Sequence, residues 1–458
     1  MPDLASAPQA RRWLTLATLC TAVLIAQVDT SVVNLAVRPI GEHFRVGVGA
    51  LQWVIDGYNL VYAVMLLTGG LLADLYGRRR LFMAGAAIFT AASLLCALSP
   101  SIAVLIGGRA VTGLGAAFLL PASLSIVRVV WPDAAERGRA LGIWAACNGL
   151  AFAIGPALGG VLIGQFGWRS VFLAVVPFGL TALALALVSV PESSDPQNRR
   201  FDGLAQVLGA VALGGLAVAV IESHGAPVYG LAALFVAVVA LAAFVRVETR
   251  RGADALVPLD MFGIREFRGA IIATAGMTFG MYGAIFLLPL TWQSAGRLDP
   301  VHAGLALMPM AVVFVVTSSL SGWLGTKLGT RMMTGGGVAV IGCGLLLIGA
   351  AAGSASLVPA EIGLALTGLG MGFATGPLMG AAVGAVAAAR SGTAAALINV
   401  ARMAGATIGV AVLGAIFAVA GGNADGLRYA MLLGGLVQIS CAVTALLMMH
   451  PEGKDGGH

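Results

Sequence analysis

Charge is scarce in this chain. Asp, Glu, Lys and Arg make up 10% of its 458 residues, where a soluble domain carries about 25%. That shortage excludes a water-soluble globular protein. Nucleic-acid binding goes with it, because the net charge of +6 is spread over short basic loops and forms no continuous patch. Cysteine is scarce as well. Cys20, Cys96, Cys147, Cys343 and Cys441 all lie inside apolar runs, a pattern of packed thiols that fits neither a disulfide framework nor a metal cluster. Aromatic residues total 7%, too few for a dense cage around a cation. The five histidines (His43, His224, His302, His450, His458) fall in loops, at run ends or in the tail. No glycine-rich phosphate-binding loop occurs, so a membrane-embedded enzyme is disfavoured and no cofactor is expected.

What the chain has is apolar length. It is 59% hydrophobic, with mean hydropathy +0.96, and its 64 glycines are dispersed through apolar segments, where small residues let membrane helices approach closely. Runs long enough to cross a hydrocarbon core fall at 13–38, 50–72, 81–99, 102–127, 139–163, 169–190, 203–222, 228–247, 268–291, 302–325, 333–353, 357–380, 392–420 and 427–449. The expectation is therefore an all-α membrane protein with 14 transmembrane helices. Basic residues support the count. With the N-terminus inside, nineteen of the 26 Lys and Arg fall in inner segments and five in outer ones. Arg109 and Arg402 lie within spans. That asymmetry predicts cytoplasmic termini.

The chain also repeats. "TGLG" occurs at Thr112 and Thr367 (367 − 112 = 255), each followed by a proline, Pro121 and Pro377. "GGLLADLYGRRR" is echoed by "SGWLGTKLGTRM", pairing Gly70 with Gly322 (322 − 70 = 252) and Gly77 with Gly329. "AIGPALGG" matches "MAGATIGV" at an offset of 250, placing Gly155 on Gly405 and Gly159 on Gly409. The offset equals eight spans, so two six-helix halves (1–191 and 257–458) flank a two-helix insert (192–256).

These motifs resemble the major facilitator superfamily, in particular its fourteen-span drug:proton antiporter branch. "GGLLADLYGRRRL", with Gly70, Asp74, Gly77, Arg78 and Arg79, is similar to the superfamily's signature loop between spans two and three. "LIGGRAVTGLGAA" is similar to the span-four motif built on a membrane-embedded arginine, here Arg109. "AIGPALGG" resembles the span-five antiporter motif through Gly155, Pro156, Gly159 and Gly160, with Ala151 where the family has a first glycine. "VDTSVVNLAVRPI" resembles the branch's span-one motif, with Asp29, Thr30, Asn34 and Pro39. "QWVIDGYNL" with Asp56 and "VIESHG" with Glu222 look closest to the methylenomycin-A-resistance-like subgroup. The resemblance implies a major facilitator fold and proton-coupled export of amphipathic, often cationic, drugs or an antibiotic-like compound by alternating access. It also implies that the span-five helix seals the resting path against leak. Metabolite uptake by symport or facilitated diffusion is the competing function, and the span-five motif argues against it. The expected partners are a small-molecule substrate, protons and the lipid bilayer, for a monomer in a bacterial cytoplasmic membrane.

The residues themselves suggest roles. A charge at the bilayer centre costs about 2.5–3.5 kcal/mol on insertion scales, so Asp29, Asp56 and Arg109 need a reason to be there. Counted along their spans at 1.5 Å per residue, all three lie at a similar depth. Asp29 is expected to face the cavity with Arg109 as its counter-charge and to bind a proton or a cationic substrate. Asp56 is a second proton-coupling candidate, and a structural ion pair is the alternative. Asp74, with Arg78 and Arg79, is expected to latch the cytoplasmic side by meeting cations or a helix N-terminus from the other half. Glu222 is a candidate coupling acid or a solvated helix end. Tyr58, Asn59, Tyr62, Trp144, Asn148, Tyr282, Phe286, Met310, Phe314, Asn399 and Arg402 are candidate cavity residues.

Overall fold

The computed structural model describes residues 9–194, 202–222, 226–252, 255–387 and 390–449. Among these the regular structure is helical. The first six elements in chain order are α1 (Gln9–Phe44), α2 (Val48–Tyr76), α3 (Arg78–Ala97), α4 (Ile102–Val130), α5 (Ala134–Phe166) and α6 (Arg169–Leu173). Then come α7 (Val175–Ser189), α8 (Gly203–Glu222), α9 (Pro227–Arg251), α10 (Arg265–Ser294) and α11 (Pro300–Ala306). The chain closes with α12 (Met308–Leu328), α13 (Thr330–Ala350), α14 (Val358–Gly384), α15 (Ser391–Val419) and α16 (Ala424–Met448). Each of the fourteen expected spans falls on one of these helices or on an abutting pair. Among the described residues, thirteen stretches are long and apolar enough to cross a membrane; in α5, whose first turns carry Glu136, Arg137 and Arg139, the apolar part is Ile154–Phe166.

Two spans have a local irregularity beside a proline, at Ala174 and Leu307, both of which keep right-handed helical backbone angles. Pro177 leaves the carbonyl of Leu173 without its intrahelical donor, and α6 gives way to α7 there. Pro309 does the same for Leu305 at the junction of α11 and α12. A proline lacks the N–H that would continue the ladder.

Packing divides the chain into two compact units, Met1–Ala210 with Asp299–Gly304 and Val211–Leu298 with Leu305–His458. Each unit contains the same close helix crossing. In the first, an added Cβ on Gly85 would come within 2.8 Å of the Gly115 carbonyl oxygen, and one on Gly115 within 2.9 Å of that of Gly85, so α3 and α4 touch backbone to backbone. In the second, a Cβ on Gly337 would come within 2.7 Å of the Gly370 carbonyl oxygen, joining α13 to α14. The offsets, 337 − 85 = 252 and 370 − 115 = 255, are those of the sequence repeat. Two turns repeat likewise. Gly77 (φ +111°) joins α2 to α3 and Gly329 (φ +77°) joins α12 to α13 with no intervening loop, in backbone conformations that L side chains rarely adopt.

The first helix of the expected insert is anchored in the first unit. The Gln206 side chain on α8 donates to the Val64 carbonyl at 2.5 Å and accepts from the Thr68 hydroxyl on α2. Its partner α9, by contrast, exposes Val228, Tyr229, Leu231, Phe235 and Val238, as suits a surface solvated by lipid.

Gly115→Val should push α3 off α4, because Phe89 and Gly85 present rigid backbone where the valine would go. Overpacking of this kind costs about 1–3 kcal/mol. A lowered melting temperature of the detergent-purified variant is expected, with Gly107→Val, which meets open space, as the unaffected control.

Candidate transport site

The polar residues of the span-one motif are satisfied before any partner helix is involved. Thr30 Oγ1 donates to the Ala26 carbonyl at 3.0 Å, Ser31 Oγ to that of Val28 at 3.0 Å, and Asn34 Nδ2 to that of Thr30 at 2.9 Å. Asp29 cannot be satisfied this way, since a carboxylate only accepts. It is 2% exposed and reaches across to α4, where Arg109 Nη1 donates to its Oδ2 at 2.6 Å. The pair expected from the sequence is therefore formed.

Arg109 is held from three sides. Its Nε donates to the Val54 carbonyl of α2 at 3.1 Å. Its guanidinium carbon lies 4.7 Å from the Tyr58 ring centroid and 5.9 Å from that of Phe172, distances at which an aromatic face attracts a cation. The approach is permitted by glycine. Gly113 on α4 lies directly against the Tyr58 backbone, and Gly57 on α2 faces the Ile106 carbonyl. Asp29 Oδ1 has no hydrogen-bond partner, so the carboxylate is only half engaged.

Asp56 stands apart from this pair. It is 0% exposed, and neither carboxylate oxygen has a hydrogen-bond partner. One turn further along α2, the Asn59 amide is buried with both its oxygen and its nitrogen unpartnered. Two adjacent turns thus carry buried polar groups without partners, an arrangement that native proteins reserve for sites with a use.

The antiporter motif of α5 packs on the same α1 segment. A Cβ on Gly155 would clash with Ser31 Oγ, and one on Gly159 would come within 2.7 Å of Val32 Cγ1. On another face, Gly160 lies against the backbone of Pro300 and Val301. The motif's small residues are what let α5 lie this close to the helix that carries Asp29.

The loop motif is held by contacts within the first unit. Asp74 accepts from Arg78 Nε at 3.1 Å and Nη2 at 2.9 Å, within its own motif. Because α3 starts immediately after Gly77, the Arg78 side chain folds back over the last turn of α2. The rest of the cluster grips the end of α7. Arg79 N–H donates to Glu192 Oε1 at 3.2 Å, Arg79 Nη2 to the Leu187 carbonyl at 2.8 Å, and Arg80 lies 3.7 Å from Glu192. Sequence reasoning passed over Glu192, although an acid just beyond span six, on the side holding three consecutive arginines, was a visible signal.

The other candidates are distributed. Tyr58 is buried beneath Arg109, and Tyr62 is half-buried with its ring 5.9 Å from that of Tyr58. Trp144 Nε1 donates to Ser123 Oγ at 3.1 Å, tying α5 to α4. The Asn148 side chain lies outside the described residues. Glu222 is the half-buried last residue of α8. Phe286 and Met310 are buried, at 0% and 2% exposed, Met310 lying against Gly368. Phe314, Tyr282, Asn399 and Arg402 are half-buried, with Asn399 Nδ2 committed to the Ala395 carbonyl at 3.0 Å.

The Major Facilitator Superfamily profile matches residues 19–410. A multidrug resistance protein, Stp, from Mycobacterium tuberculosis is 38% identical over 394 residues, covering 85% of this chain and 73% of Stp. A methylenomycin A resistance protein from Bacillus subtilis is 32% identical over 440 residues, covering 94% of this chain and 93% of its own. The crystal structure of a peptide transporter, POT, in complex with sulfate superposes with a TM-score of 0.72 at 15% identity, over 94% of each chain, and shows the shared fold. The family model and these relatives define the class of the protein as a membrane transporter. This chain belongs to the Major Facilitator Superfamily.

The two acids should respond oppositely to neutralisation. Asp29→Asn strands a buried guanidinium, and removing one partner of such a pair costs about 3–5 kcal/mol. Asp56→Asn removes no described partner, so its melting temperature should match or exceed that of the wild type in detergent. Equal losses for both variants would contradict the geometry.

Proposed function

We propose that this chain is a proton-coupled antiporter that exports amphipathic, antibiotic-like compounds by alternating access. It would act as a monomer in a bacterial cytoplasmic membrane, with both termini cytoplasmic. The observation that carries the reading is the pair of buried acids, Asp29 engaged through one oxygen only and Asp56 through neither. A carboxylate buried without a partner is accommodated by taking up a proton. One that exchanges a proton for an arginine as its neighbour alternates changes charge within the membrane. Asp29 is the proposed carrier, because breaking its contact with Arg109 is what would free it to bind a proton; Asp56 is the second acid, and Glu222 an outlying one. The names of the relatives, a multidrug resistance protein and a methylenomycin A resistance protein, support export of drug-like compounds and weigh against metabolite uptake. The Asp74, Arg78 and Arg79 cluster is the proposed cytoplasmic gate.

Proton coupling is tested in two ways. Cells carrying the protein should show drug resistance that disappears when a protonophore collapses the gradient; resistance that survives collapse refutes the proposal. Substrate addition to purified wild type should release protons into weakly buffered detergent solution, and a stable Asp29→Asn variant should bind without release. Release at wild-type level from that variant would transfer the role to Asp56.

The gate has a separate signature. Asp74 and Arg78 form an i,i+4 pair at the helix end, 28% and 14% exposed as side chains, and such pairs contribute about 0.3–0.5 kcal/mol. Asp74→Asn should therefore express and melt like the wild type while its efflux slows several-fold in a transport time course.

A further inference from the structure

The second unit holds one membrane-embedded charge that the proton chemistry leaves unused. Arg402 lies on α15, eleven residues from its start and seventeen from its end, or about 16 Å and 25 Å at 1.5 Å per residue. That sets it in the interior of the span, where a charge is costly and marks a functional position by default. Every residue of α15 from Thr393 to Ala418 is buried or half-buried, unlike the exposed face of α9, and the Arg402 Nε lies out of contact with the surroundings of the protein.

Its surroundings differ from those of Arg109 in each respect that matters. Arg109 is ion-paired, bonded to a backbone carbonyl and covered by two rings. Arg402 forms no ion pair among the described residues, and its Nε is buried without a hydrogen-bond partner. Tyr282 on α10 lies within electrostatic reach. The Asn399 amide, one turn away, is spent on its own helix. Nor does the fold require a cation at this position. The repeat offset of 250 sets Arg402 on Phe152 of the first copy (402 − 250 = 152), so one copy builds the same helix with an apolar residue.

The chemistry of a guanidinium suits binding better than proton transfer. Its planar fork of N–H donors matches a carboxylate, sulfonate or phosphate in two parallel hydrogen bonds. We infer that Arg402 is the seat for an acidic group on the transported compound, so that the substrate class includes amphipathic acids and zwitterions besides the cations expected from the sequence. This rests on the reading of the chain as an exporter. Within it, Arg402 selects by charge and Tyr282 forms part of the wall beside it.

The test uses two dyes that share a xanthene ring system, anionic fluorescein and cationic rhodamine 6G. Their binding to detergent-purified protein at pH 8 is measured by fluorescence anisotropy, with no gradient present. The wild type should bind fluorescein, Arg402→Gln should weaken that binding at least tenfold, and rhodamine 6G binding should be unchanged or tighter. Arg402→Lys keeps the charge without the fork and should lie between. It also supplies the reading if Arg402→Gln does not run as a monodisperse species. A wild type that fails to bind fluorescein overturns the inference, as does a variant that loses both dyes equally or neither. A wild type that binds fluorescein through Arg402 but never transports against a pH gradient leaves the inference standing and defeats the exporter reading alone.

Discussion

Everything in the first unit is organised by the need to keep the Arg109 guanidinium neutralised inside an apolar interior. Taking an ion out of water costs several kcal/mol even after relaxation. The compensation of Arg109 on α4 comes from two other helices at once, with Asp29 from α1 and the Val54 carbonyl and Tyr58 ring from α2. Those contacts demand short interhelical distances, which Gly57 and Gly113 supply between α2 and α4. The glycines of α5 then bring the antiporter motif onto the face of α1 that carries Ser31 and Val32. A buried charge and a set of small residues are thus one design: without the glycines the pair cannot close.

The repeat makes clear which parts of this design are scaffold. Gly85 and Gly115 recur as Gly337 and Gly370 with the same backbone contact, and Gly77 recurs as Gly329 with the same positive φ. The charges do not recur. At the repeat offsets Asp29 becomes Phe279 (29 + 250 = 279), Asp56 becomes Met308 (56 + 252 = 308) and Arg109 becomes Leu364 (109 + 255 = 364). Packing was duplicated and ionic chemistry was not. The acids therefore belong to one copy, while the mid-membrane cation of the other, Arg402, has no ion pair among the described residues.

This division explains how far the sequence could be read. The spans were legible because a bilayer demands about 20 apolar residues per crossing, and the Asp29–Arg109 pair was legible because two opposite charges lay at one depth with few alternatives. The irregularities at Ala174 and Leu307 were not foreseen, although Pro177 and Pro309 stand beside them. The Asp74–Arg78 pair was not legible, since the positive φ of Gly77 that folds Arg78 back is a backbone fact without a distinctive pattern. Glu192 and Gln206 went unnoticed because each acts on residues more than a hundred positions away. The burial of Phe286 was not legible because helix periodicity does not tell a core face from a lumen face.

Two kinds of ionic contact coexist here, and their energies suit them to different jobs. Asp74–Arg78 and Arg80–Glu192 lie at a partly exposed helix end, where pairs contribute about 0–1 kcal/mol. Thermal motion breaks such contacts readily, so they fit a gate that must open on every cycle. Asp29–Arg109 is desolvated, and separating it as bare charges would cost several kcal/mol. In the proposed cycle it separates only when Asp29 gains a proton, which removes one of the two charges. A helix rearrangement that needs protonation in order to proceed is coupled to the proton by energetics alone. Burial of the pair, more than its identity as an acid and a base, is what would make the coupling tight.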